Sequence, residues 1–574
     1  MPNEHSYTYM QESACTPTTD IEGYVPFPDD RCQEYVDEGY WRNLTFHDVL
    51  DRAATETPEQ TAVIGPHREL TYEELAENSR QLAISLATEA GLEENDFVVF
   101  QFPNSSEFLE AFFACSRIGV IPVMLLPRHR EAEARHVLDL TEAKAVFAAG
   151  DRYQLGFDHV SLLDDVGDEF DHLTHRFAVV DDEETLPEGW TSFDAARDGD
   201  LGSEPSVDLE DIDVNPSNPG VLLLSGGTTG MPKGIPRTYN DYVFQWEYMA
   251  KVANVQSDWV AFPSVPIGHN ASLNCVIGAA IWAGATIAVE PVLKPDALMS
   301  LIERHGGSYS LPIPTQLIDI LEHPDLEEYD LSSLEVLVSG GQKVRPKAVY
   351  EFVDRWDIGF CNIFGMAEGP LICTRPEDDV DDQAHTVGRP IAPDADEVRI
   401  VDEAREEEVT RGDAGELSVR GPGFFTGYLR HAEENDENFD DDGWFYTEDV
   451  LALNDDGNYE VYGRLKDTII RGGENIYAPG LEDVIIEHEK VENVAVIGIP
   501  DDRLGERVGA YIELVDGYDS LTVDEMGEYL KGQGIAVFKR PERIEIVNEL
   551  PRTEVGKISK ADLRDDIVKR LESE

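Results

Sequence analysis

Ser225-Gly-Gly-Thr-Thr-Gly-Met-Pro-Lys-Gly234 gathers glycines, hydroxyls and a cation in one short stretch. Gly226, Gly227 and Gly230 let the backbone approach a ligand closely, and consecutive backbone N–H groups can form an anion nest. Ser225, Thr228 and Thr229 add hydroxyl donors, and Lys233 adds a positive charge. This is chemistry for cradling phosphates. It is not the Walker-type loop, in which Gly-Lys-Ser/Thr follows four spacer residues. Here Pro232 precedes the lysine and Gly234 follows it. The alternative, an idle surface loop, fits poorly with the apolar run Val221-Leu-Leu-Leu224 directly before it, which reads as a buried strand.

The elements that must hold such a loop follow strand–helix–strand grammar. Phe97-Val-Val-Phe-Gln-Phe102 reads as a buried strand, Asn104 as a cap, Ser106 to about Ile118 as a helix, and Ile121 to Leu126 as a second strand. That pattern implies a parallel sheet. The acidic stretch from Leu163 to Asp213 reads as surface loops. Alternation resumes at Val221 and runs to about Cys373. Residues 397–465 change to shorter strands with glycine turns, an antiparallel subdomain. A compact unit with its own strands and helices follows. The expected fold is α/β: a disordered start over 1–20, a large N-terminal domain of stacked αβ sheets over 21–466 with a β-barrel-like subdomain, and a small C-terminal α+β domain over 467–574.

Composition narrows the function classes. The 574 residues carry a formal net charge of −71, and 41% of them are hydrophobic, a globular composition. Such an acidic surface repels phosphate backbones and anionic lipid, so nucleic acid and membranes are not expected partners. No apolar run reaches the ~20 residues of a membrane span, and the N-terminus has no apolar leader segment. The six cysteines form no Cys-x-x-Cys pair and no His cluster stands at metal-ligand spacing, so buried thiols are expected rather than zinc or a disulfide framework. Acidic residues are dispersed, and 13 of the 45 basic residues are Lys against 32 Arg. An acidic tail would concentrate charge in one block. Dispersed excess fits a cytoplasmic protein kept soluble in high salt.

The glycine-rich loop resembles the phosphate loop of the adenylate-forming superfamily: acyl-CoA synthetases, peptide-synthetase adenylation domains and luciferases. Further motifs stand in the family's order. Asn362-Ile-Phe-Gly-Met-Ala-Glu368 is similar to its aromatic-Gly-x-x-Glu segment and Thr447-Glu-Asp449 to its Thr-Gly-Asp. Gly463-Arg-Leu-Lys-Asp467 and Arg471-Gly-Gly-Glu-Asn475 resemble its hinge region, and Pro551-Arg-Thr-Glu-Val-Gly-Lys557 its C-terminal lysine motif. One departure is Glu448, where the family usually has Gly; it bears on the local turn.

The resemblance implies attack of a carboxylate on the α-phosphate of ATP, giving an acyl-adenylate and pyrophosphate. Two anions must meet, so positive charge is needed where they do. Lys557 is implied to bridge carboxylate and α-phosphate, with Thr228 and Glu368 beside it in catalysis. Glu368 would meet Mg²⁺, a hard cation suited to carboxylate. Asp449 would accept from the ribose hydroxyls and Arg464 would add a nucleotide contact. Ser225, Thr228, Thr229 and Lys233 would hold the outer phosphates, with Gly226, Gly227, Gly230, Gly341, Phe364, Gly365 and Met366 lining the nucleotide. Asp467 matches a hinge about which the small domain rotates, so that a phosphopantetheine thiol, on a carrier protein or CoA, attacks the adenylate. The plain alternatives are a surface lysine at 557, a helix N-terminal carboxylate at Glu368, a structural ion pair for Asp449 or Arg464, and a turn aspartate at Asp467.

Within the superfamily the chain is most similar to stand-alone ligases of 2,3-dihydroxybenzoate and salicylate in siderophore assembly. Tyr24-Val-Pro-Phe-Pro, Leu126-Pro-Arg-His-Arg130, Ile235-Pro-Arg-Thr238 and Pro266-Ile-Gly-His-Asn270 carry that likeness. It implies an aryl carboxylic acid substrate, an aryl carrier protein as possible partner, and an acid pocket of His269, Asn270, Cys275, Ser339 and Gly340. A neutral amide at Asn270 can pair an ortho-hydroxyl; its alternative is a helix cap. At Cys275 the family tends to have Ser for dihydroxybenzoate and Cys for salicylate. A thiol is a poor partner for a 3-hydroxyl, which favours salicylate, with 2,3-dihydroxybenzoate close behind. Ser339 could supply a replacement hydroxyl. A buried core thiol is the alternative for Cys275. Two other functions stay open: a catabolic aryl-CoA ligase and a nucleotide-binding protein without turnover.

The dispersed acidic charge makes a prediction about salt. Thermal stability and activity are expected to rise toward molar KCl as self-repulsion is screened. Full thermal stability in ~10 mM salt, where the Debye length is ~30 Å, contradicts the high-salt reading.

Overall fold

The structure is a computed structural model. It describes residues 16–153, 155–199, 207–225, 231–472, 474–501, 503–552 and 558–573. Contacts divide the chain into two compact units, one of residues up to 225, 231–397 and 420–444, the other containing 398–419 and 445 onward.

The first unit is built on two large, mainly parallel sheets. The seven-stranded sheet runs in the order Trp190–Ser192, His175–Val179, Ala145–Ala149, Phe97–Gln101, Ile121–Met124, Pro219–Leu224, Gly234–Thr238. Every pair is parallel except the last, an antiparallel hairpin that registers Leu224 with Gly234. The nine-stranded sheet has a parallel centre including Val260–Phe262, Gly307–Ser310, Val336–Gly340 and Gly359–Gly365. Antiparallel pairs close both of its ends.

Local sequence explains the helices. Thr45 with Asp48, Thr71 with Glu74 and Thr238 with Asp241 are capping boxes that start Phe46–Glu56, Tyr72–Thr88 and Tyr239–Val252. All twelve residues of Ser106–Arg117 are buried, so this helix is enclosed on every face. Its charges are therefore paired: Arg117 with Asp51 at 2.6 Å, Glu107 with Arg152 at 2.9 Å, and Glu110 with Arg68. Burial still pushes the Glu110 carboxyl up to about 7.

Two sequence expectations need correction here. Asn104 is not the cap. Ser105 accepts from the Phe108 N–H, while the Asn104 amide donates to the Val265 carbonyl (3.2 Å) and accepts from the Ile267 N–H (2.7 Å). It thereby ties the first parallel crossover to the segment that leads to His269. The stretch from Leu163 to Asp213 is not a run of surface loops. It supplies the strand His175–Val179, the edge strand Trp190–Ser192 beside it, and the helix Phe193–Asp198. Its acidic residues hid short apolar runs such as Phe177, Ala178 and Val179, which are buried. Most of the expected disordered start lies outside the described residues, but Thr16 and Thr18 are hydrogen-bonded to Asn215 and Asn218. The five cysteines in the described residues are buried thiols without disulfides, and Cys15 lies outside them.

The second unit holds a four-stranded sheet in the order Glu397–Val401, Gly415–Arg420, Phe445–Leu453, Tyr459–Arg464. It also holds a five-stranded sheet in which Val491–Asp501 and Gly505–Leu514 form a long antiparallel pair. Ala478–Ile486 and Val523–Gly532 pack their apolar faces against that sheet through Leu481, Ile485, Met526 and Leu530.

Asp396 yields a pH prediction. Its Oδ2 accepts from the Ala392 N–H at 3.3 Å, Oδ1 finds no partner among the described residues, and burial pushes its carboxyl up to about 7. A folded-state value above the ordinary ~3.9 means that the folded protein keeps a proton that the unfolded chain has released. The associated stability is full below pH ~4 and is lost as pH rises through about 7. Denaturant midpoints of wild type and Asp396→Asn are expected to diverge over that window, wild type falling relative to the variant. A constant difference from pH 4 to 8 contradicts this.

Candidate active site

In the first unit, the Pro219–Leu224/Gly234–Thr238 hairpin carries Ser225 and Lys233 at its open end. Its neck is closed twice: the Ser225 N–H donates to the Lys233 carbonyl and the Lys233 N–H to Ser225 Oγ, both 2.9 Å. The Ser225 oxygen is thus part of the neck. Gly226, Gly227, Thr228, Thr229 and Gly230 lie outside the described residues. Lys233 Nζ stands 4.7 Å from the centroid of the Tyr428 ring and 3.8 Å from Glu434 Oε1.

Glu368 lies in the turn that joins Gly359–Gly365 to Leu371–Cys373, not at a helix N-terminus. Phe364 and Gly365 end the incoming strand and Met366 opens the turn. Tyr428 donates its hydroxyl to Glu368 Oε1 at 2.8 Å, and the Phe425 N–H donates to the Glu368 carbonyl at 2.8 Å. Gly369 follows at φ +135°, and a Cβ there would lie 2.5 Å from the Gly423 carbonyl oxygen, so only glycine fits. A half-buried carboxylate with one oxygen steadied by a phenol fits a hard divalent cation.

Beneath this turn is Arg237, which with Asp241 is fully buried. Its guanidinium donates to Asp241 Oδ1 (2.8 Å), the Ala367 carbonyl (2.8 Å), the Gly423 carbonyl (2.7 Å) and Gln245 Oε1 (3.1 Å). Gln245 Nε2 donates to the carbonyls of Gly369 and Gly423. Arg237, Asp241, Gln245 and Tyr428 were not singled out from sequence. Arg237 stood inside a quoted motif, but nothing in its spacing indicates that its partners come from positions 367 and 423.

His269 and Asn270 lead into Ala271–Gly278, a π-helical segment with one extra residue per turn. Such segments often mark functional sites. Asn270 makes no capping bond. Its Oδ1 accepts from the Tyr242 hydroxyl at 2.9 Å and its Nδ2 donates to the Met366 carbonyl at 3.4 Å. Cys275 is buried in the same segment, its carbonyl accepts from Tyr309, and burial pushes its thiol up, so it stays neutral. Ser339 is buried and donates its hydroxyl to the Pro312 carbonyl at 2.8 Å. Gly340 ends the strand where a Cβ would meet the Ile363 carbonyl oxygen at 2.0 Å. Gly341 follows at φ +76°.

In the second unit, Asp449 and Arg464 face each other on antiparallel strands. Arg464 Nε lies 3.0 Å from Asp449 Oδ1. Thr447 Oγ1 donates to the Leu417 carbonyl and accepts from the Asp449 N–H. Asp467 Oδ1 is held by Arg564 at 2.7 Å. Lys557 lies outside the described residues.

Residues 50–429 match the AMP-binding enzyme family and residues 480–557 its C-terminal domain. The chain belongs to the AMP-binding enzymes. It is 36% identical to a salicyl-AMP ligase / salicyl-S-ArCP synthetase of Mycobacterium tuberculosis, covering 95% of this chain and 94% of that protein. It is 34% identical to a 2,3-dihydroxybenzoate-AMP ligase of Bacillus subtilis, covering 96% and 99%. The apo structure of Mycobacterium smegmatis MbtA superposes with a TM-score of 0.70 at 33% identity, covering 95% of this chain and 98% of that one.

Glu448, the departure from the family's Thr-Gly-Asp, keeps the backbone that glycine would adopt, at φ +60°. Its N–H donates to Glu416 Oε1 at 3.0 Å, and Arg405 holds Glu416 at 2.7 Å. A left-handed non-glycine residue costs roughly 1–2 kcal/mol, of which glycine's unfolded-state entropy offsets ~0.4–1 kcal/mol. Glu448→Gly is expected to raise unfolding free energy by ~0.5–1 kcal/mol. A destabilised variant in a denaturant titration contradicts this.

Proposed function

We propose that this AMP-binding enzyme activates a 2-hydroxyaryl carboxylate with ATP and passes the aryl group to a thiol. The observation that carries the reading is the link from Asn270 through the Met366 carbonyl to the turn bearing Glu368. The residue assigned to the aryl acid and the residue assigned to the triphosphate thus belong to one bonded unit. The relatives named above, matched over nearly the whole chain, act on salicylate and 2,3-dihydroxybenzoate by their names, and this supports the same acid class here.

The acid's carboxylate oxygen attacks the α-phosphorus, the bond to the bridging oxygen of pyrophosphate breaks, and an aryl-AMP anhydride remains. A phosphopantetheine sulfur then attacks the aryl carbonyl and AMP leaves. Lys233 supplies positive charge beside the hairpin loop, and Lys557 is assigned to the charge that builds between carboxylate and α-phosphate. Glu368 would hold Mg²⁺, which neutralises phosphate charge when bound. Asp449 and Arg464, already paired, are assigned to the nucleoside side. Asp467, held by Arg564, is assigned to the hinge, with a boundary between the large and small domains at about that residue. No helix among the described residues is long and apolar enough to cross a membrane; a cytoplasmic reaction is our reading, supported by the need for ATP.

Exchange of pyrophosphate into ATP tests this directly. Salicylate and 2,3-dihydroxybenzoate are expected to support exchange, with benzoate poorer by up to several orders of magnitude. Cys275→Ser is expected to raise kcat/KM for 2,3-dihydroxybenzoate relative to salicylate by about threefold to tenfold, the scale of one neutral hydrogen bond. An unchanged ratio removes Cys275 from the pocket. Equal exchange with a long-chain fatty acid overturns the aryl-acid reading.

A further inference from the structure

Asn270 is the residue assigned above to the ortho substituent of the acid, and a carboxamide can present either of two faces. Its oxygen accepts and its nitrogen donates, so which end turns outward decides which substituent pairs. The structure sets that choice with two bonds. The Tyr242 hydroxyl donates to Oδ1 at 2.9 Å, and the Met366 carbonyl accepts from Nδ2 at 3.4 Å. Reversing the amide would place Oδ1 against the Met366 carbonyl, two acceptors facing each other. It would also offer the phenol a donor where its own hydrogen needs an acceptor.

Tyr242 is rigidly placed for this. It is fully buried in the enclosed helix Tyr239–Val252, packed against Phe46 (5.8 Å between ring centroids) and Trp246 (6.0 Å). The Arg237 guanidinium lies 5.2 Å from its ring centroid. Burial raises the phenol well above its ordinary range, so it remains a donor throughout the working pH range. Among the described residues, Nδ2 keeps one hydrogen beyond that shared with Met366.

We propose that Tyr242 is a specificity-determining residue. By holding Asn270 Oδ1 it makes the amide present N–H to the acid, so that the site favours an ortho substituent with an available lone pair, a hydroxyl, over an ortho amine. Aniline-type nitrogen gives its lone pair to the ring and is a poor acceptor, whereas a phenolic oxygen keeps one in reach. Tyr242 acts through Asn270 and is a positioning residue. The inference rests on the aryl-acid reading above.

The experiment measures pyrophosphate-exchange kcat/KM for salicylate, 2-aminobenzoate and benzoate in wild type, Tyr242→Phe, Asn270→Ala and the double variant. Tyr242→Phe removes one oxygen and keeps the ring packing, and a thermal melt confirms folding. Wild type is expected to prefer salicylate to 2-aminobenzoate. Tyr242→Phe is expected to lower that ratio by about threefold to tenfold, the worth of one hydrogen bond, because the released amide can turn its oxygen outward. In the Asn270→Ala background the same substitution is expected to leave the ratio unchanged, which a general loosening of the site would not produce. An unchanged ratio in Tyr242→Phe, or an equal change with and without Asn270, overturns the role of Tyr242. Wild type that exchanges with none of the three acids overturns the aryl-acid reading itself, and this inference with it.

Discussion

The buried ion pair of Arg237 with Asp241 is the interaction on which the first unit's site depends. Asp241 does two things at once: Oδ2 accepts from Thr238 as the helix-starting capping box, and Oδ1 holds Arg237. That leaves the other guanidinium nitrogens to draw in the carbonyls of Ala367 and Gly423, from two segments distant in sequence. A fully buried charge is tolerated only when paired and hydrogen-bonded, and stripping one partner from such a pair costs about 3–5 kcal/mol. The turn bearing Glu368 is thus fixed by a constraint that cannot relax cheaply. Tyr428 and Phe425, just beyond Gly423, then bond Glu368 itself.

The same helix places the residues assigned to the acid. Thr238 and Asp241 start it, Tyr242 stands one residue on, and Gln245 one turn later accepts from Asn274, the residue before Cys275. Asn104, from the first parallel crossover, fixes the entry to His269 from the other side. Within Ala271–Gly278, Ser272 donates to the Val265 carbonyl, Asn274 to Gln245, and the Cys275 carbonyl accepts from Tyr309; such buried polar bonds help a segment carrying an extra residue per turn to persist.

The second unit solves a different problem. Asp449 must stand opposite Arg464, and the bulge just before it, inside the strand Phe445–Leu453, puts one residue in the left-handed region. Where glycine would meet that at no steric cost, this chain has Glu448, and the exposed acidic side chain adds to a surface already far from neutral. The strain is offset by Glu416, which takes the Glu448 N–H while paired with Arg405.

Much of this was legible in the amino-acid sequence. Apolar runs such as Val221 to Leu224, read with their spacing to helical segments, determined the parallel sheets, because period and burial are local properties. The motifs around Lys233, Glu368 and Asp449 stood out because glycines, hydroxyls and charges stand at fixed short spacings, but that Glu368 sits in a turn between two strands did not. The strands at 175–179 and 190–192 were not, since surrounding acidic residues masked their short apolar cores. Nor was Asn104's role, because a cap and a long-range clamp need the same side chain. Tertiary structure alone decided the rest: that Arg237 reaches residues 367 and 423, that Tyr242 orients Asn270, and that Asp467 meets Arg564. Those are bonds between groups from 28 to 186 positions apart. Sequence specifies which groups can pair, and only the packed fold brings particular donors within reach of particular acceptors.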